Sequence, residues 1–244
     1  MQIVGHRGAR GEAPENTLAG FRHLRQCGIK RVEFDIQVAA DGVLVVIHDA
    51  ELERCTDGSG RVSAHDSLAL AQLDALHRSH PHWPGREGVP TLAEVLAELR
   101  DFEHLQLEVK ARHPADAERV VAVLPQLYER YQLHGRGVCT SFNPLFLQAL
   151  KDRAAHIPRG LLFEHLDPAT ALSLAEELGC VQIGPEEKLC TPALVQAAVQ
   201  RKLSISTWTV NAPERMLALH QLGIESIITD LPSQALRILS KTGS

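Results

Sequence analysis

Two histidines, three carboxylates, an arginine and a lysine stand where short apolar runs give way to polar residues. His6 and Arg7 follow "QIVG", Glu33 and Asp35 lie in "RVEFDIQ", His48 closes "GVLVVIHD", and Glu108 and Lys110 lie in "LQLEVKA". Residues two apart on a strand share a face. Glu33 and Asp35 therefore oppose Val32, Phe34 and Ile36, and Glu108 and Lys110 oppose Leu107 and Val109. If the apolar faces pack against helices, the acidic faces point inward, where each ionised carboxylate costs several kcal/mol unless compensated. A buried ion network with Arg7 and Lys110 is one compensation. A hard divalent cation, Mg²⁺ or Ca²⁺, on Glu33, Asp35 and Glu108 is the favoured one. Arg7 can clamp a phosphate with its planar fork and Lys110 as a point charge. Imidazoles, with an ordinary pKa near about 6.5, can share general-acid and general-base duty. Together these groups suit cleavage of a phosphodiester.

The elements that must position them follow from the patterning. "QIVG" precedes "NTLAGFRHLRQCG", a helix stopped at Gly28, and "RVEFDIQV" reads as the second strand. "LQLEVKA" precedes a helix from about Asp116 to Leu133, and "GVCTSF", "PRGLLFEH", "CVQIGP", "LSISTWTVN" and "ESIITD" are each followed by a helical segment. Eight strand–helix units in 244 residues predict a parallel (β/α)₈ TIM barrel spanning 1–244 as one domain. An open doubly wound sheet is the rival, and no GxGxxG follows the first strand to support it. Active sites of such barrels lie at the strands' C-terminal ends. Asp41-Gly42 is a two-residue hairpin signal. A tight turn there sets Ala40 against Val43 and His48 against Asp35, although a bulge would slip that register by one. Residues of about 50–90 are polar and turn-rich, an insertion expected to cap the catalytic end. Its histidines His77, His80 and His82 lack tetrahedral metal spacing and read as surface residues.

Composition narrows the class. At 44% hydrophobic and 23% charged the chain matches an ordinary soluble globular protein. A net charge of -5 and 4% aromatic residues argue against nucleic-acid binding. Cys27, Cys55, Cys139, Cys180 and Cys190 have neither an even count nor CxxC spacing, so they read as reduced thiols. No apolar leader follows Met1 and no run approaches the roughly 20 residues of a span. A cytoplasmic protein without stable membrane association is expected, and its oligomeric state is not encoded in any readable pattern.

"GHRGARGEAPENT", "VEFDIQVAADGVLVVIHD", "LEVK" and "TWTVN", in that order along nearly the whole chain, resemble the glycerophosphodiester phosphodiesterase family. The resemblance implies a metal-dependent TIM barrel that hydrolyses glycerophosphodiesters to sn-glycerol 3-phosphate and an alcohol. It implies that His6 and His48 are the acid/base pair and that Glu33, Asp35 and Glu108 hold the metal. Arg7 and Lys110 match phosphate-contacting positions, and Trp208 a pocket-lining aromatic, with Phe142 a weaker candidate. Glu15 and Asn16 are expected to support Arg7 and its loop. Alternatives are a lysophospholipid phosphodiesterase or lyase giving a cyclic phosphate, and a non-catalytic barrel that binds glycerophosphodiesters.

Overall fold

The computed structural model describes residues 1–111 and 113–240. Its frame is a closed ring of eight parallel strands: β1 (Gln2–Gly5), β2 (Arg31–Val38), β4 (His104–Val109), β5 (Gly137–Ser141), β6 (Arg159–Phe163), β7 (Gln182–Pro185), β8 (Ser204–Thr207) and β9 (Ser226–Thr229). The ninth strand, β3 (Leu44–Val46), is a short antiparallel addition to β2. Closure comes from β1, which pairs with β9 from Gln2↔Ser226 to Gly5↔Thr229 and with β2 at Gly5↔Val32. The expected TIM barrel is therefore present.

Helices cover the outside: α1 (Leu18–Gln26), α3 (Leu92–Glu98), α4 (Pro114–Arg130), α5 (Pro144–Arg153), α6 (Pro168–Glu177), α7 (Pro192–Gln200), α8 (Pro213–Gln221) and α9 (Pro232–Leu239), with the short α2 (Ser67–Ala71) in the insertion. From α4 onward every helix opens with proline, whose fixed φ suits the first helical position and whose missing N–H costs nothing there. Thr17, Thr91, Asn143, Asp167 and Thr191 cap helix starts through their side chains. The helix expected from Asp116 begins two residues earlier, because Pro114 starts it and the His113 N–H donates to Asp116. The alternation read from the strands holds: Val32, Phe34, Ile36, Leu105, Leu107 and Val109 are buried in the core between sheet and helices. Inside the barrel floor Gln106 donates to Ser206 and accepts from Gln182.

Two expectations need correction. The Asp41-Gly42 turn is a three-residue loop: Gly42, at φ 83, donates to the Ala39 carbonyl, and Ala39 donates to the carbonyl of Val43. The extra residue slips the register by one, so Ile47, not His48, lies opposite Asp35 and donates to its carbonyl at 3.1 Å. The insertion is also more than an irregular loop. Asp66 caps α2, and Leu52, Val62, Leu70 and Val89 join Ala39, Val45 and Ile47 in a small apolar cluster of their own. Within it His77 is tied to Asp74 and to the Trp83 carbonyl, while His82 is exposed. All five cysteines are free. Among the described residues no helix is long and apolar enough to cross a membrane.

Candidate active site

The C-terminal mouth of the barrel opens into a cavity of about 350 Å³ whose lining includes His6, Arg7, Glu33, His48, Glu108, Lys110, Phe142 and Trp208. His6 and Arg7 leave the end of β1 in a loop wound so tightly that a Cβ on Gly5 would sit 1.9 Å from the Gly8 carbonyl oxygen. Arg7 and Asn16 both adopt left-handed backbone, at φ 50 and 54, a conformation that costs free energy and recurs at ligand sites. The strain is held by polar ties. The Arg7 N–H donates to Glu33 at 3.0 Å, and the Asn16 amide donates to Asp35 at 2.8 Å. The Arg7 guanidinium donates to Glu15 at 2.9 Å, and Glu15 also receives both arms of Arg54 at 2.8 Å. Burial works against ionised Glu15, but the bonds from Arg54 and the charge of Arg7 outweigh it and bring its pKa down to about 2.

Glu33, Asp35 and Glu108 bring one carboxylate oxygen each within 4.8 Å of the others. Two oxygens on one hard cation, bound at about 2.1–2.5 Å, stand no more than about 5 Å apart. Asp35 Oδ1 lies 3.1 Å from Lys110 Nζ and Oδ2 lies 3.3 Å from Arg7 Nε, while Lys110 also contacts Glu108. Glu33 Oε1 is buried without a hydrogen-bond partner. The charge balance is correspondingly uneven. Burial pushes the Glu33 carboxyl well up, and the neighbouring Asp35 and Glu108 add to it. Burial pushes Glu108 up as well, with Lys110 opposing. Asp35 is driven the other way: Lys110, Arg7 and His48 overcome its burial and hold it well below the usual carboxylate range. An all-oxygen donor set with an orphaned buried oxygen fits a hard divalent cation.

Each histidine carries a carboxylate on Nδ1. His6 Nδ1 lies 2.6 Å from Asp230, and its Nε2 lies 3.9 Å from Glu33. Asn211 holds Asp230 in turn, donating to its carboxylate at 2.8 Å and accepting from its N–H. His48 Nδ1 lies 2.6 Å from Asp49, which Arg54 also contacts. A carboxylate on Nδ1 fixes the tautomer that leaves Nε2 free to accept a proton. Burial lowers the pKa of His48, and the charges of Lys110 and Arg7 act in the same direction. With the strand register slipped, His48 reaches the cavity by a different device. Gln37 donates through one amide nitrogen to the carbonyls of Ile47, His48 and Asp49, pinning the turn after β3. Opposite, the Trp208 indole donates to the Gly184 carbonyl at 2.8 Å and packs edge-on to Phe142, with ring centroids 5.4 Å apart.

The structure thus gathers His6, Arg7, Glu33, Asp35, His48, Glu108 and Lys110 at one place, borders them with Trp208, and sets Glu15 and Asn16 behind Arg7 and Asp35. Several residues of the site escaped the sequence reading. Asp230 directly follows the last strand and Asp49 follows His48 directly, so both had a signal in strand-end position. Gln37 shares the face of Glu33 and Asp35, a periodicity that would have found it. Arg54 had none, since its fork to Glu15 spans 39 residues of sequence.

Residues 6–234 match the model of the glycerophosphoryl diester phosphodiesterase family. A glycerophosphodiester phosphodiesterase of Caldanaerobacter subterraneus subsp. tengcongensis is 29% identical over 99% of this chain and 98% of its own length. One from Bacillus altitudinis is 30% identical over 97% of each chain. An Oleispira antarctica phosphodiesterase, solved in complex with the product sn-glycerol-3-phosphate, superposes with a TM-score of 0.91 at 27% identity, covering 98% of this chain and 97% of that one. With site, barrel and relatives in agreement over almost its full length, the chain belongs to the glycerophosphoryl diester phosphodiesterase family, whose members are phosphoric diester hydrolases.

Proposed function

We propose that the protein hydrolyses glycerophosphodiesters to sn-glycerol 3-phosphate and an alcohol, using His6 and His48 for proton transfer and a divalent cation, Mg²⁺ or Ca²⁺, held by Glu33, Asp35 and Glu108. The carrying observation is the pairing of two imidazoles, each with a carboxylate 2.6 Å from Nδ1, around a buried carboxylate cluster. A product complex with sn-glycerol-3-phosphate in the Oleispira antarctica phosphodiesterase supports the substrate class. A cation at the carboxylates supplies charge neutralisation for the phosphoryl oxygens and for an oxygen nucleophile.

In this reading Arg7 and Lys110 bind the phosphate, their positions set by Glu15, Asp35 and Glu108. One imidazole takes the proton of the attacking oxygen as the new P–O bond forms. The other delivers a proton to the alcohol oxygen as the old P–O bond breaks, so protons balance over one turnover. Asp49 and Asp230 keep the rings oriented and stabilise each imidazolium as it forms. Trp208 and Phe142 present an apolar wall suited to the carbon face of glycerol.

The test is release of sn-glycerol 3-phosphate from glycerophosphocholine by metal-stripped protein, with and without Mg²⁺ or Ca²⁺. Release only with metal is expected. Equal release without metal would sink the carboxylate site. A cyclic phosphate seen by phosphorus NMR as the end product would replace hydrolysis by a lyase reaction.

A further inference from the structure

A second group of metal-type donors lies outside the barrel mouth. Glu12 sits in the connection between β1 and α1, His23 in the last turn of α1, and Cys27 caps that helix. His23 and Cys27 are four apart, so they share a helix face. His23 Nε2 lies 3.3 Å from Glu12 Oε2, Cys27 Sγ lies 3.6 Å from His23 Nε2, and Cys27 Sγ lies 4.0 Å from Glu12 Oε2.

We propose that Glu12, His23 and Cys27 form a zinc-type metal site, distinct from the all-oxygen cluster in the mouth. The donor set is the argument. Thiolate, imidazole and carboxylate together suit Zn²⁺ or Co²⁺, whereas Mg²⁺ and Ca²⁺ prefer oxygen alone. Distances agree with tetrahedral geometry. Zinc bonds of about 2.0–2.1 Å to N, about 2.0–2.2 Å to O and about 2.3 Å to S place neighbouring donors about 3.3 Å apart for N and O, and about 3.5 Å apart when one is S. Two edges already match, and the third closes with a shift of about half an ångström. Thiolate and carboxylate carry two negative charges against the ion's two positive ones, so the loaded site is neutral.

The surroundings hold these donors in place. The other Glu12 oxygen, Oε1, accepts from the Ser233 N–H at 3.0 Å and from its hydroxyl at 2.8 Å, which aims Oε2 at His23 and Cys27. The His23 ring stands edge-on to Trp83 at 5.8 Å. All three donor residues are half-buried, reachable by an ion yet sheltered. A bound ion would tie the connection that carries Arg7, Glu15 and Asn16 to α1 and, through Ser233, to α9.

Titrating the metal-stripped full chain with Co²⁺ and recording its absorption spectrum tests the assignment, because only a thiolate ligand gives a near-ultraviolet sulfur-to-cobalt charge-transfer band. The band is expected to saturate at one equivalent with tetrahedral visible bands, to vanish in Cys27→Ser and His23→Ala, and to persist in Glu33→Gln. Ser233→Ala is expected to weaken Co²⁺ at this band about 10–100-fold, the usual cost of losing an outer hydrogen bond to a ligand. Circular dichroism confirms that each variant is folded. A wild-type titration without the band, or a band unchanged in Cys27→Ser, overturns the site.

Discussion

At the scale of single residues, the site is a balance of charges that burial makes costly and chemistry needs. Replacing His48 by Ala removes one proton-transfer group and should lower turnover about 10²–10⁴-fold with the fold intact, checked by initial rates on glycerophosphocholine alongside circular dichroism. Asp49→Asn and Asp230→Asn leave the imidazoles in place but remove the carboxylates that orient them, so a smaller loss is expected in kcat than in His48→Ala. Glu33 behaves oppositely in stability and activity. Burial, then Asp35 and Glu108, disfavour its ionised form, so the metal-free folded state carries that penalty at neutral pH. Glu33→Gln should therefore raise the melting temperature of metal-free protein, by about 1–2 kcal/mol in stability, while abolishing turnover. A lower melting temperature in that variant would contradict the charge balance. Glu15 has the reverse sign. With a folded pKa of about 2 against the ordinary 4.5, its contribution is complete above pH 4.5 and disappears as pH falls toward 2.

At the scale of elements, the connection after β1 is the most tightly constrained piece. The approach of the Gly8 carbonyl to the Gly5 Cα leaves no room for a methyl group. Gly5→Ala should cost about 1–3 kcal/mol and displace the loop that carries His6 and Arg7. Loss of kcat exceeding the loss of stability, measured by denaturant unfolding beside steady-state rates, is the expected pattern. Much of this scale was readable beforehand. Alternating faces located Glu33, Asp35, Glu108 and Lys110. The hairpin was not, because whether Asp41-Gly42 closes a two- or a three-residue loop depends on hydrogen bonds to Ala39 and Val43 and on Ser67 gripping Asp41 from the insertion.

At the scale of the whole molecule, the two ends of the barrel do different work. His104 opens β4 at the end away from the mouth, and burial, helped by the charge of Arg31, brings its pKa down to about 4. Between pH 6.5 and 4 the unfolded chain binds a proton there that the folded chain does not, so stability falls as pH drops through that window. His104→Gln should flatten this slope by roughly 2 kcal/mol, read from urea unfolding at stepped pH. Its kcat should be unchanged, since activity in such barrels resides at the opposite face.

The sequence by itself determined the barrel, the faces of its strands and the meeting of Arg7, Glu33, Asp35, Glu108 and Lys110 at its mouth. Those properties follow from period-two and helical alternation and from the position of each residue along its own element. Tertiary structure alone decided how the meeting is held. The Arg54 fork onto Glu15, the Asp230 contact to His6 across the ring closure, and the Gln37 grip on the turn bearing His48 join residues 39, 224 and 11 positions apart. Such partners are chosen by where folded elements come to rest, and no local pattern in the chain records that choice.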